Sequence, residues 1–71
     1  MVSDIQSVML NKNVFTLKKA QQKLKHLMLI PSKRVDITKN FYRFRIREPE
    51  LFSRFSTIEI EPGVKFVIGY Y

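Results

Sequence analysis

The chain has 71 residues, the size of one domain with a single small core, and its 13 lysines and arginines against 6 acids give a formal net charge of +7. It contains no cysteine, which excludes disulfides and thiolate metal sites, and no uncharged stretch is long enough to cross a bilayer. With 45% hydrophobic and 27% charged residues, the composition is that of a globular protein rather than a disordered one.

The first half of the chain predicts a strand followed by a helix. Residues 5–10 read as the strand, and a polar turn at residues 11–13 ends it. Thr16 is the expected N-cap of the helix, and Phe15 is placed to pack on its first turn. The apolar seam of the helix recurs at spacings of three, four and seven residues and consists of Leu17, Ala20, Leu24, Leu27 and Met28. Pro31 stops the helix, which we therefore expect to end at residues 29–30.

The second half predicts strands. Residues 35–37 begin one, a polar turn interrupts it, and residues 41–47 then alternate between two faces. Pro49 indicates a single helical turn, and residues 58–70 form a hairpin around Pro62 and Gly63. We predict one small basic α+β domain spanning residues 1–71 in the order β-α-β-β-β, with one long helix packed on a small, mostly antiparallel sheet.

Few residues are suited to catalysis. His26 is the only histidine, and no acid near it in sequence could orient it as a general base. Glu59 and Glu61 share a strand face and could act as a carboxylate pair, but the arginines of residues 41–47 offer cross-strand ion pairing as a simpler explanation. With only two glycines, no phosphate-binding loop can be built. We expect no catalytic site, no metal and no cofactor.

The helix and the connector after it form the first candidate binding surface. Residues 11–34 hold seven cations and no acid, so the helix lacks the i,i+4 pairs of an ordinary solvated helix. Lys18 and Lys19 also lie in the first turn, where the helix dipole disfavours cations. Such a one-sided field attracts polyanions. The candidate nucleic-acid-binding residues, which meet if the connector folds back, are Lys18, Lys19, Lys23, Lys25, Lys33 and Arg34.

Two further surfaces come from the strands. Arg43, Arg45 and Arg47 share a face with Phe41 and form a secondary basic face, which Glu59 and Glu61 are expected to neutralise in part. The last strand is apolar on both faces at its end, as an exposed edge that pairs with another chain would be. The protein-interface residues predicted on this edge are Phe66, Ile68, Tyr70 and Tyr71.

Four segments carry a resemblance to known sequences: FTLKKA at residues 15–20, RVDITKNFYRFR at 34–45, FSTIEI at 55–60 and GVKFVIGY at 63–70. Together they resemble a short domain of uncertain function that recurs in open reading frames of tailed phages and large DNA viruses. The resemblance covers about residues 5–71, and its most distinctive part is the YRFR string at residues 42–45. Similar sequences usually have an aromatic residue where this helix has Lys23, so this helix is more basic. The resemblance implies a viral origin and the β-α-β-β-β order, and no established activity.

The leading hypothesis is a non-enzymatic viral protein that contacts nucleic-acid phosphates through its basic helix face, without reading base sequence. The alternative is a minor virion component or a modulator of a host protein, bound through the C-terminal strand; a second copy of the chain would be another partner for that strand. A membrane-surface role ranks last, because the apolar seam of the helix is needed for the core. Residues 1–5 lack the pattern of a signal peptide, so we expect a location inside the host cell or in the virion.

Overall fold

The sheet is built around the first strand of the chain. In the computed structural model, which describes residues 2–71, five antiparallel strands lie in the order β2-β3-β1-β5-β4, with one helix on one face. This confirms a small α+β fold, with five strands instead of four and a wholly antiparallel sheet. The elements are β1 (Ser3–Asn11), α1 (Leu17–His26), β2 (Asp36–Ile37), β3 (Phe41–Arg45), a 3₁₀ turn (Pro49–Leu51), β4 (Arg54–Glu61) and β5 (Val64–Tyr70).

The central position of β1 follows from its composition. Residues 5–10 carry no charge on either face, and Val8 and Leu10 are fully buried. The polar Gln6 is also buried, and its hydrogen bonds are satisfied: its side-chain Nε2 donates to the Arg47 carbonyl at 3.0 Å, and its own carbonyl accepts from the Ile46 amide at 2.8 Å. Buried polar groups need such partners, and here they hold the chain beyond β3 against β1.

Helix α1 begins as predicted and ends earlier than predicted. The Thr16 hydroxyl accepts a hydrogen bond from the Lys19 amide at 3.2 Å, which is the expected N-cap. Ala20 and Leu24 are buried against the sheet. The helix stops at His26, so the expectation of a long helix reaching residues 29–30 is wrong.

The end of α1 is a Schellman motif with a methionine in the position that usually holds glycine. The Met28 amide donates to the Lys25 carbonyl at 2.9 Å, and the Leu29 amide donates to the Leu24 carbonyl at 3.1 Å. This geometry requires a left-handed residue, and Met28 has a φ of +61°. Met28 is 88% exposed, and so it is not part of the apolar seam to which the spacing assigned it.

The β4–β5 hairpin forms as predicted, with Pro62 and Gly63 in its turn. Gly63 has a φ of +82°, the value expected for the third residue of a type II turn. Residues other than glycine rarely adopt this backbone conformation. The Val14 side chain packs directly against Gly63. The turn is therefore fixed by its backbone geometry and by contact with the segment before the helix.

The strand order overturns two predictions. Because β1 and β5 separate β3 from β4, the arginines of β3 are not neighbours of Glu59 and Glu61. Strand β5 lies between β1 and β4, so it has no exposed edge at which another chain could add a strand. The exposed edge at this side of the sheet is β4. Within residues 2–71, no helix has the length and apolar character needed to cross a membrane.

Candidate nucleic-acid interface

The connector after α1 folds back beside the helix. The Ser32 amide donates a hydrogen bond to the Arg45 carbonyl at 2.8 Å, and the Ser32 hydroxyl contacts the same oxygen at 3.3 Å. These bonds hold the connector against the end of β3. Lys33 and Arg34, which follow Ser32, are thereby brought to the side of the helix that carries Lys25.

Lys25, Lys33 and Arg34 line one open groove of about 570 Å³. We call it the cationic groove. The other residues that line it are mainly apolar and come from the helix, the connector and β3; they are Gln21, Leu24, Leu29, Pro31, Val35 and Phe44. A groove with an apolar floor and a cationic rim has the chemistry to hold an anion that also carries an apolar part.

The charges at the cationic groove are only partly neutralised. Lys33 Nζ lies 3.5 Å from a Glu48 carboxylate oxygen, and Arg45 contacts the same carboxylate at 3.6 Å. Among residues 2–71, no carboxylate lies within ion-pair distance of Lys25 or Arg34. Both side chains are exposed. Their charges are therefore available to an anion, and an exposed ion pair such as Lys33–Glu48 is weak enough to be exchanged.

The expectation that all six predicted cations share one surface is wrong for Lys23. Its ammonium group forms an ion pair with Glu61 of β4 on the other flank of the helix. Lys19 precedes Lys23 by one helical turn and lies on that flank too, whereas Lys18 precedes Lys25 by two turns and lies on the side of the cationic groove. The structure therefore brings Lys25, Lys33 and Arg34 together around the groove. Lys18 lies on the same side of the helix, about 10 Å from Lys25 along the helix axis.

The secondary basic face has different partners from those predicted. Arg43 and Arg45 lie on the face of the sheet opposite the helix, together with Phe41. Arg45 pairs with Glu48, and Arg47 lies 3.7 Å from Asp4. Arg43 is half-buried, and its Nε has no hydrogen-bond partner. Since two of its three arginines are paired, this face offers less available charge than the cationic groove.

The residues predicted as a protein interface are used within the chain. Phe66 packs against the core, and Ile68 lies opposite Ile5 of β1. The Tyr70 hydroxyl is 2.9 Å from the Ser56 hydroxyl. The Tyr71 hydroxyl donates to Asp4 at 2.8 Å. All four side chains make contacts within the chain, although Tyr71 remains half exposed, and none of them lies on an exposed strand edge.

The residues considered for chemistry are dispersed. His26 is exposed on the helix. Glu59 lies opposite Lys65, and Glu61 contacts Lys23, so the two glutamates face different partners. Within the part of the chain that the structure describes, no three His, Cys, Asp or Glu side chains are grouped as metal ligands.

The sequence interpretation missed the apolar floor of the groove and the exposed side chains of β4. The apolar floor was not predicted because the sequence analysis assigned Leu29 to the end of the helix and Val35 to the start of a strand. The exposed apolar side chains of β4 are Phe55, Ile58 and Ile60. Their signal was present as alternation with Glu59 and Glu61, which is typical of a strand that is only partly covered.

No known protein family matches the sequence, and neither the curated proteins nor the solved structures contain a match.

Proposed function

We propose that this protein is a non-enzymatic binding module that holds nucleic acid, without sequence preference, in the cationic groove. The proposal rests on one observation: the connector places Lys33 and Arg34 beside Lys25 around a single groove. Phosphates would contact the cationic rim, and the apolar parts of the nucleotides would lie over the floor. A single strand is the expected form, because its bases are accessible whereas those of a duplex are stacked inside it.

A viral context is part of the proposal and is supported by the sequence resemblance alone. In that context the protein acts inside an infected cell or in the virion. The alternative is a virion component or a host-protein modulator that binds through β5. It was supported by the predicted exposed edge of β5, and that edge does not exist because β5 lies between β1 and β4. A membrane-surface role also loses support, since Ala20 and Leu24 of the helix are buried in the core.

The experiment is a titration of fluorescent single- and double-stranded DNA and RNA, followed by anisotropy at several salt concentrations. If the three cations of the groove and Lys18 each contact one phosphate, the logarithm of affinity should fall against the logarithm of salt concentration with a slope of about −3. The triple variant Lys25→Gln, Lys33→Gln and Arg34→Gln should weaken binding at least about tenfold and flatten the slope by about 2.

A matched control removes the same charge elsewhere. Lys12, Lys19 and Lys39 lie outside the cationic groove, and their joint replacement by Gln should weaken binding much less. Equal losses in the two triple variants would mean that overall charge, rather than the groove, binds the polyanion. An absence of binding at low salt would reject the proposed function.

A further inference from the structure

Strand β4 is a long exposed edge of the sheet. It has eight residues, and among residues 2–71 no strand pairs with its outer side. Natural edge strands are protected from pairing by Pro, by Lys and other charges, or by a β-bulge. Strand β4 has no Pro or Lys, and its charged residues lie towards its two ends. Its single irregularity is a register shift between Glu59 and Glu61. The opposite edge of the sheet, β2, has only two residues.

Large apolar side chains of β4 are exposed on both faces of this edge. Phe55 is 46% exposed, Ile58 48% and Ile60 41%. Phe55 lies opposite Gly69, and Ile58 lies opposite Phe66, which packs on the core below the helix. A strand added to this edge would cover apolar surface on each face of the sheet as well as pairing the backbone.

The charges along β4 suit an identical partner. The strand begins with Arg54 and ends with Glu59 and Glu61. In an antiparallel pair of β4 strands centred on Thr57, Arg54 of one copy lies opposite residues 60–61 of the other. Arg54 and Glu61 also share the helix face, since Arg54 pairs with Tyr70 and Glu61 contacts Lys23 of the helix. Self-pairing therefore places Arg54, which lies over the Tyr70 ring of its own copy, beside the Lys23–Glu61 ion pair of the other copy, whereas parallel pairing would place Arg54 on Arg54.

The positive net charge of the chain does not prevent two copies from meeting at their β4 strands. The unpaired cations of the groove lie beside Phe44 of β3, and strands β1 and β5 separate β3 from β4. Strand β4 itself carries one cation and two acids. At physiological salt, charges more than about 8 Å apart are largely screened. The edge that would meet a second copy thus lies on the side of the sheet away from the unpaired cations of the groove.

We propose that two copies of the chain associate by antiparallel pairing of their β4 strands around a two-fold axis near Thr57. The sheet becomes continuous across the two copies. Because the axis is perpendicular to the sheet, both helices and both cationic grooves lie on the same face. This inference rests on β4 and does not depend on nucleic-acid binding.

Sedimentation equilibrium of the purified chain over a wide concentration range tests the proposal. The wild type should show a monomer–dimer equilibrium, and Ile58→Lys should weaken it about tenfold or more, because a charge replaces an apolar side chain at the centre of the pair. Ile37→Lys is the matched control: Ile37 is 60% exposed on the opposite edge strand, and its replacement should leave the equilibrium unchanged.

A charge-exchange experiment tests the orientation of the pair. Arg54→Glu should weaken self-association, and so should the double variant Lys23→Glu/Glu61→Lys, which keeps its internal ion pair with reversed signs. Mixing the two variants should restore dimers, since the carboxylate introduced at position 54 of one variant then meets the ammonium group introduced at position 61 of the other. Circular dichroism of each variant shows that it is folded.

Three results would overturn the proposal. They are a wild-type chain that stays monomeric up to about 1 mM, a dimer that Ile58→Lys does not weaken, and a mixture of the two charge-exchanged variants that does not form dimers. A monomeric wild type that binds a strand of another protein at β4 would mean that this edge pairs with that protein instead of a second copy.

Discussion

The Phe52 ring lies directly over Gly69, in the space that a Cβ atom at position 69 would occupy. Phe52 is buried, and its ring centroid lies 5.8 Å from that of Phe55 and 4.8 Å from that of Tyr71. This aromatic cluster covers the end of β5 on the sheet face opposite the helix. Gly69 is required there by the close approach of the ring.

We expect Gly69→Ala to lower the free energy of unfolding by about 1–3 kcal/mol, because the added methyl group overlaps the Phe52 ring. Chemical denaturation measures the change. In a Phe52→Ala background the same replacement should cost much less, which a double-mutant cycle reveals. An equal cost in both backgrounds would show that the ring is not the cause.

We expect Met28→Gly to raise the free energy of unfolding by about 0.5–1 kcal/mol. Met28 holds a left-handed conformation that glycine adopts without steric strain. Because the Met28 side chain is 88% exposed, little packing is lost. Met28→Ala is the control and should bring no gain, since alanine keeps the Cβ atom; a similar gain for both would point to the side chain rather than to the backbone.

Stability should fall at alkaline pH through Tyr71. Its hydrogen bond to Asp4, together with desolvation and the Asp4 charge, raises the pKa of Tyr71 above its usual 10.0, although Arg47 acts in the opposite direction. The neutral phenol is favoured in the folded state, so its contribution is complete below pH 10.0 and is lost as pH rises through the raised pKa. Denaturant unfolding should show wild type more stable than Tyr71→Phe at neutral pH, with the difference vanishing at high pH. A constant difference would contradict this assignment.

Lys23 and Lys25 should behave differently although only one residue separates them. We expect Lys25→Gln to weaken nucleic-acid binding and to flatten its salt dependence by about 1, since Lys25 lines the cationic groove. Lys23→Gln removes the ion pair with Glu61 and should lower stability by at most about 1 kcal/mol while leaving affinity unchanged. Fluorescence anisotropy measures the affinity of each variant and denaturation measures its stability. An equal loss of affinity in both variants would mean that Lys23 also contacts nucleic acid, as the sequence analysis predicted.

Local features of the fold were predictable from the sequence because they depend on neighbouring residues. The Thr16 cap, the Pro49 turn and the Gly63 hairpin each follow from the conformational preferences of one or two residues. The early end of α1 was not predictable in this way, because a methionine occupies the left-handed position that glycine normally marks. The stop signal that the sequence does display is Pro31, which lies several residues beyond the true end.

The strand order was harder to predict because it depends on contacts between distant residues. The sequence prediction puts Glu59 and Glu61 beside the arginines of β3, as if strands close in sequence were paired. In the structure β1 is inserted between β3 and β5, since Val8 and Leu10 must be buried and residues 5–10 carry no charge that would need solvent. The same insertion made β4 the exposed edge, and it removed the candidate interface from β5.

The central position of β1 also bears on how the chain acquires its structure. One of its neighbours is β5, with Ser3 opposite Tyr70, so the middle of the sheet cannot close until two strands far apart in the sequence have met. Pairing of such distant segments slows folding, because the entropy of closing the intervening chain is lost before the contacts form. We therefore expect the pairing of β1 with β5 to be a slow step in the folding of this domain. Until the two strands pair, the apolar strand β1 lacks its β5 neighbour. Exposed apolar strands of this kind are bound by chaperones.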